Sequence, residues 1–362
     1  MNLSRLWAIT RLELLQRVRT VSWYVLLGVF AFLLVGVTAL AFIVFGGWGP
    51  GGPGVYSIVV CFTLLLVLLV SPTLSGNSIN GDRDASTLAA LQVSLATTGE
   101  ILWGKFLAAW ITGLAFVVVA TPFLVVATLT GGVNPLVVVV SLAILVAEIA
   151  VVSAIGVALS GILARPLFSV AVTYLVVAAL TFGSSIAFGL VGASITSEGV
   201  SKSRSVAYNS DGTMTCRDGS DECWGDAENM VCEDWETTTY RVPRFDRVWW
   251  MLSTNPFVIL ADASPTTFDD RGNPDDLFGW IKAGVRSAQI TPPLEMTYDD
   301  CDPAGYGGYE PGPTPEEVIA QTVPSWFVGL AVQIAIAGLL LWWAWARTRT
   351  PARTLPPGTR IA

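Results

Sequence analysis

The 362-residue sequence contains no histidine. Histidine is the general base of Ser-His-Asp and Cys-His hydrolases, a common metal ligand and the side chain that titrates near neutral pH. Its absence excludes these hydrolases, histidine metal centres and histidine proton relays. The sequence also lacks a Gly-x-x-x-x-Gly-Lys-Ser/Thr phosphate loop, so we do not expect the chain to hydrolyse ATP. A transport or structural role is therefore favoured over an enzymatic one.

Charged residues are scarce, at 13% of the sequence, and the mean hydropathy is +0.61. Soluble proteins carry about a quarter charged residues. A helix needs about 20 apolar residues to cross a bilayer, and six runs meet this length: 21–45, 55–75, 103–130, 135–160, 167–193 and 326–346. The predicted fold is an all-α polytopic membrane protein with six transmembrane helices, an N-terminal interfacial elbow helix and a disulfide-bonded external domain between the fifth and sixth helices.

The N-terminal stretch, residues 1–20, differs from the apolar runs and shows no cleavable signal peptide. Leu3, Trp7, Leu14 and Val18 fall on one helical face, with most of the arginines directed elsewhere. This pattern predicts a cytoplasmic elbow helix lying on the membrane surface before the first span. The alternative is an ordinary basic tail.

Positive charge in the short loops is confined to one side of the predicted membrane topology. The segment 194–325 contains 23 acidic and nine basic residues, whereas the other 11 basic residues lie at the termini and in loops on one side of the spans. Short loops rich in arginine and lysine face the cytoplasm. We therefore expect both termini, including the basic tail 347–362, to be cytoplasmic and 194–325 to be external. We expect the protein to lie in the plasma membrane, and 17 arginines against three lysines, with abundant Ala, Val and Gly, favour a GC-rich bacterium as its source.

Cysteines are few and unevenly placed. Cys216, Cys223, Cys232 and Cys301 all lie in 194–325, and Cys61 lies in the second span as an apolar filler. Four thiols in an oxidising compartment predict two disulfides, for which three pairings are open.

The rest of the 194–325 segment contains three apolar stretches. Residues 248–252, 257–260 and 278–281 form the core of a small domain or lie at the membrane surface, where tryptophan is favoured. The stretches 196–240 and 296–318 are polar and rich in Asp, Gly and Pro, and we interpret them as loops.

Glu148, near the middle of the fourth span, is the ionisable residue that the sequence places clearly inside the bilayer. An acid there costs at least about 2.5 kcal/mol and usually faces a cavity or a partner. Glu148 either lines the route of a cationic or hydroxyl-rich substrate, or stays protonated. In the second case it would hydrogen-bond Ser141, Ser153, Ser184 or Ser185.

A charged, helix-patterned insert, residues 76–102, separates the second and third spans. It must lie outside the lipid. Asp84 or Ser86 can cap a short helix, and Thr97 with Glu100 forms a capping box for the third span. The apolar face of the short helix consists of Leu88, Leu91 and Leu95. Such a helix suits a groove on a partner protein, or it folds back onto the ends of neighbouring spans.

The insert resembles the signature of ABC type 2 exporter permeases. Asp82-Arg83-Asp84 stands where that family often has Glu-Arg-Glu, and Thr87-Leu88 and Gly104-Lys105 match it. Ser86 replaces a usual glycine, and no proline lies near Thr98. The resemblance covers residues 1–193 and 326–350, and it implies that the insert is the cytoplasmic helix that contacts the ATPase. The implied coupling residues are Asp82, Arg83, Asp84, Thr87, Leu88, Leu91, Leu95 and Lys105.

The resemblance also implies the partners. ATP and magnesium would be bound by a separate ATPase subunit, with no cofactor or metal in this chain, and a second permease copy or paralogue would complete the pathway. Gly156, Ser160 and Gly161 permit close helix contact. Membrane lipid is an expected partner and nucleic acid is not. The alternative function is a membrane-anchored receptor or assembly factor that acts through its external domain.

Overall fold

The computed structural model describes residues 2–45, 52–84, 97–220, 223, 229–302 and 312–348. Most of this part of the chain is helical. Six helical stretches in it are long and apolar enough to cross a membrane: Val21–Phe45, Gly52–Asp82, Thr98–Thr130, Pro135–Ile162, Pro166–Ser194 and Trp326–Thr348. The prediction of a multi-pass membrane protein with six spans is confirmed.

The spans and the segments around them form thirteen α-helices in the described residues. The helices are α1 (Leu3–Val18), α2 (Val21–Phe45), α3 (Gly52–Ser75), α4 (Asn80–Asp84), α5 (Thr98–Gly131), α6 (Pro135–Ile162), α7 (Pro166–Ala178), α8 (Ser184–Ser194), α9 (Trp250–Ser253), α10 (Pro256–Ala263), α11 (Leu277–Ser287), α12 (Pro315–Gln321) and α13 (Trp326–Thr348). A π-helical turn, Ala179–Gly183, joins α7 to α8 within the fifth span.

A tight turn connects α5 and α6 because both helix ends are capped locally. Gly132 follows α5 in the left-handed conformation, with φ of 62°, which glycine adopts at little cost. The Asn134 side chain then accepts a hydrogen bond from the Leu136 N–H at 2.9 Å, and Pro135 occupies the first turn of α6.

Small residues on α6 allow close contacts inside this chain. A methyl group at Gly156 would lie 1.9 Å from Ser75 Oγ on α3, and one at Gly161 would lie 3.0 Å from Ala344 Cβ on α13. Ser160 Oγ accepts backbone hydrogen bonds from the turn between α3 and α4. These three small residues therefore serve helix packing within the chain.

The segment 194–325 contains a three-stranded sheet, which corrects the interpretation of 196–240 and 296–318 as loops and the prediction of an all-α fold. Strand β1 (Thr196–Arg204) lies between β2 (Glu236–Pro243) and β3 (Glu295–Asp299). β1 pairs antiparallel with β2 and parallel with β3. The strands are polar, and most of their residues are exposed or half-buried. Hydrophobic alternation was therefore too weak to reveal them.

Two disulfides stabilise this sheet region, as the sequence predicted, and the structure gives their pairing. Cys216 bonds Cys223 within the β1–β2 connection. Cys232, just before β2, bonds Cys301, just after β3. The four cysteines pack with Val206, Met214 and Met230 in a small core of their own.

The apolar stretches of the same segment pack on the spans instead of forming a separate core. Ile259, Leu260 and Phe278 belong to the main hydrophobic core together with residues of α2, α3, α5 and α6. The N–H of Leu277, at the start of α11, donates to Ser57 Oγ of α3 at 3.0 Å. Helices α10 and α11 are thus joined to one end of the helical bundle.

A buried ion pair fixes these helices to the start of the last span. Asp262 accepts from Arg286 Nε at 2.7 Å, and it also accepts from the backbone N–H groups of Ser325 at 2.6 Å and Trp326 at 3.0 Å. A carboxylate at a helix N-terminus satisfies N–H groups that have no partner within the helix. The same carboxylate therefore joins α10, α11 and α13.

Candidate coupling site and buried acid

Lys105, about two turns into α5, is 1% exposed and joins three elements. Its ammonium pairs with the Glu13 carboxylate of α1 and, at 2.6 Å, with the Asp82 carboxylate of α4. It also donates to the Ser78 carbonyl at 2.7 Å. A buried ammonium needs this degree of pairing, because removing it from water is costly. Asp82 lies near the start of the insert and Lys105 lies just after its end, so this cluster brings the two ends of the insert together.

Glu100 provides a second connection beside the cluster. Its carboxylate accepts from the Thr97 N–H at 2.8 Å, and Thr97 Oγ1 accepts from the Glu100 N–H, which confirms the predicted capping box. The carboxylate also accepts from the Asn2 N–H at 2.6 Å, immediately before α1. The same side chain therefore caps α5 and fixes the start of α1.

The inner face of α1 lies directly against α5. Thr10 Oγ1 donates to the Gly104 carbonyl at 3.2 Å, and a methyl group at Gly104 would lie 2.9 Å from Ile9. Arg17 donates to Thr112 Oγ1 and to the Leu74 carbonyl, both at 2.9 Å. Burial lowers the pKa of the Arg17 guanidinium, and the negative charge of Glu13 opposes that shift. The Arg17 guanidinium is thus inserted between α3 and α5, and it points away from the apolar stripe of α1 as the sequence predicted.

The opposite face of α1 is apolar and exposed. Leu3, Trp7 and Val18, three of the four residues of the predicted stripe, are 83%, 56% and 46% exposed. The stripe faces away from the bundle, as a membrane-surface helix requires.

The described residues contain only part of the predicted coupling set. Asp82 and Lys105 lie in the buried cluster. Arg83 and Asp84 form the last turn of α4. Thr87, Leu88, Leu91 and Leu95 lie outside the described residues, as does the short helix predicted for them.

Sequence reasoning missed Glu13 and Asn2 as members of this site. Glu13 carried a signal, since it is the only acidic residue before Asp82 in a stretch with four arginines. An isolated acid in a basic amphipathic helix suggests a specific cation as its partner. Asn2 contributes a backbone group, which composition does not reveal.

Glu148 is fully buried in α6. Neither carboxyl oxygen has a hydrogen-bond partner among the described residues, and the neighbouring polar side chain is Gln333 of α13. Three of the predicted serine partners are engaged elsewhere: Ser141 bonds the Tyr56 hydroxyl at 2.9 Å, and Ser184 and Ser185 each accept from Asn255 Nδ2 at 3.3 Å.

A chain of polar contacts continues from Gln333 towards the fifth span. Gln333 Nε2 donates to the Thr254 carbonyl at 2.9 Å. The next residue, Asn255, donates through Nδ2 to the Thr181 carbonyl at 2.6 Å, within the π-helical turn. Such turns leave a carbonyl free of the regular helical pattern and recur at functional sites.

Comparisons of this chain with protein-family models and with curated proteins find no match.

Proposed function

We propose that the chain is the membrane-spanning permease subunit of an ATP-binding cassette exporter. It would form the translocation pathway and take energy from a separate ATPase subunit that binds ATP and magnesium. The insert between α4 and α5 would be the element that contacts this ATPase.

The observation that supports the proposal most is the buried cluster around Lys105. A partner that displaced the insert would act on both of its ends, one next to Asp82 and the other leading into Lys105. Through Glu13 and the Glu100–Asn2 contact, the same displacement would reach α1 and the first turns of α5. Breaking one member of a buried ion pair costs about 3–5 kcal/mol, so the insert, α1 and α5 are expected to move as one unit.

In this proposal the insert and both termini are cytoplasmic, and the disulfide-bonded segment 194–325 is external to a cell membrane. Disulfides persist outside the reducing cytoplasm, which agrees with that orientation. A second permease copy or paralogue would complete the pathway. It would use a surface other than Gly156, Ser160 and Gly161, since these residues already contact α3, α4 and α13.

The proposal is tested by purifying the tagged chain from its own cells under mild detergent conditions. We expect a second polypeptide with a phosphate loop at near-equal amount, and ATP hydrolysis that depends on it. The chain separated from that polypeptide should hydrolyse no ATP. Matched purification of a different six-span membrane protein from the same cells provides the control.

The competing function is a membrane-anchored receptor or assembly factor acting through the segment 194–325. Purification without any phosphate-loop polypeptide, together with a stable complex held by the sheet region, would favour that function and contradict the exporter.

A further inference from the structure

The face of α1 that points away from the bundle carries two arginines that have no partner among the described residues. Arg11 and Arg19 are exposed, and neither guanidinium forms an ion pair or a hydrogen bond within the part of the chain that the structure describes. Glu13 and Arg17, by contrast, are used in contacts with the bundle. The helix therefore presents two positive charges outward.

These arginines alternate with apolar side chains along one side of the helix. Trp7, Arg11, Leu15 and Arg19 follow one another at four-residue spacing, about one helical turn each. Trp7 and Leu15 are 56% and 45% exposed, and all four side chains line a surface groove of about 630 Å³. Positive charge and exposed apolar surface thus lie next to each other over about 18 Å of α1.

The apolar stripe of α1 indicates the depth of this groove in the membrane. Leu3 and Val18, which are 83% and 46% exposed, belong to the side of the helix that enters the apolar part of a membrane surface. At 100° per residue, Arg11 and Arg19 lie about 50° and 130° from the middle of the stripe. Both arginines therefore lie on its flank, where a long side chain reaches the level of the lipid headgroups.

We propose that Arg11 and Arg19 bind the phosphate groups of acidic phospholipids, while Trp7 and Leu15 contact the adjoining hydrocarbon. A guanidinium presents a planar fork of donors that matches a phosphate, and tryptophan is favoured at the membrane–water interface.

The charges and the apolar side chains together specify this ligand. Two outward cations favour a lipid with net negative charge over a zwitterionic lipid, whose own ammonium group balances its phosphate. A free phosphate ion would bind the arginines alone and leave Trp7 and Leu15 uncovered. The site takes its ligand from the membrane and would exist with or without an ATPase partner.

Lipid bound here would act beyond α1, because the opposite face of the helix is fixed to the bundle. Glu13 pairs with Lys105 of α5, and Arg17 donates to a hydroxyl of α5 and a carbonyl of α3. Acidic lipid that holds α1 at the membrane surface therefore stabilises the contacts of α1 with α3 and α5.

The test is the thermal melting of the purified full-length chain in a neutral detergent with added phosphatidylglycerol, phosphatidylcholine or inorganic phosphate. We expect phosphatidylglycerol to raise the melting temperature by several degrees, since a ligand that binds the folded chain stabilises it. Phosphatidylcholine should give less than half of that shift, and inorganic phosphate at the same concentration none. Equal shifts with the two lipids, or an equal shift with phosphate alone, would overturn the proposal.

A double substitution, Arg11→Gln with Arg19→Gln, assigns the effect to α1. Both side chains are exposed, so we expect the variant to fold and to lose the excess shift that phosphatidylglycerol gives over phosphatidylcholine. The matched control is Arg165→Gln with Arg347→Gln, which removes the same charge from exposed residues at the start of α7 and the end of α13. The control should keep the excess shift; its retention in the Arg11 and Arg19 variant would contradict the proposal.

Photolabelling locates the bound lipid independently of stability. The chain is reconstituted into vesicles of equal parts phosphatidylcholine and phosphatidylglycerol, with a trace of either lipid carrying a photoreactive group near its headgroup. We expect peptides of α1 to be labelled at least about threefold more by the phosphatidylglycerol probe, and the double variant to lose this preference. Equal labelling of wild-type α1 by the two probes would overturn the proposal, even if the variant failed to fold.

Discussion

Lys105 is the residue at which the contacts around the insert converge. Its ammonium is fully buried, whereas the side chains of Glu13 and Asp82 are 12% and 23% exposed. The three charges come from α5, α1 and α4, so the cluster depends on all three elements being in place.

Replacing Lys105 by methionine should destabilise the folded chain. The two carboxylates would be left beside each other without a cation, at a cost of about 3 kcal/mol or more. We expect a clear fall in the melting temperature of the chain in detergent. The matched control is the triple variant Lys105→Met, Glu13→Gln and Asp82→Asn, which removes every charge and should regain most of the loss. A single variant as stable as wild type would show that the cluster contributes little.

The spans and the capping box were predictable because their signals are local. A run of about 20 apolar residues marks a span without reference to the rest of the chain. Thr97 and Glu100 lie three residues apart, and their reciprocal bonds follow from that spacing alone.

The sheet and the Glu148–Gln333 contact were not predictable, since each joins distant parts of the sequence. β1 and β3 pair in parallel although almost a hundred residues separate them, and their polar residues give no periodic pattern. Glu148 was singled out as an acid within a span, but its neighbour Gln333 lies on the last helix. The sequence signal was the single amide, Gln333, in the apolar run of the last span. No sequence rule connects such an amide with a particular acid.

The apolar stretches of the segment 194–325 show which structural features composition can predict. Burial was one of the two alternatives predicted for them, and Phe278 and Ile259 are fully buried. The helices on which these stretches pack were not predicted, because packing on α3 and α6 rather than on the sheet depends on the path of the whole chain.

The chain as a whole divides into the spans with α1, the insert between the second and third spans, and the sheet region, whose first strand follows α8 at the end of the fifth span. We predict that the insert and the sheet region lie on opposite sides of the membrane. In intact cells an impermeant thiol reagent should label Ser201→Cys and leave Ser86→Cys unlabelled until the membrane is opened. The parent chain serves as the background control, since Cys61 is buried and the other four cysteines form disulfides. Labelling of position 86 but not 201 in intact cells would reverse the proposed topology.

The most direct test of ATPase coupling through the insert is the double substitution Leu88→Asp and Leu91→Asp. The sequence places both leucines on the face proposed to enter the groove of the ATPase, where two carboxylates would be buried without partners. The matched control is Ser86→Asp with Ala90→Asp, which adds the same charge to the opposite face of the predicted helix. We expect the leucine variant to retain the wild-type melting temperature yet to lose more than tenfold of the co-purifying ATPase, while the control keeps it. Equal amounts of ATPase on wild type, leucine variant and control would contradict the account.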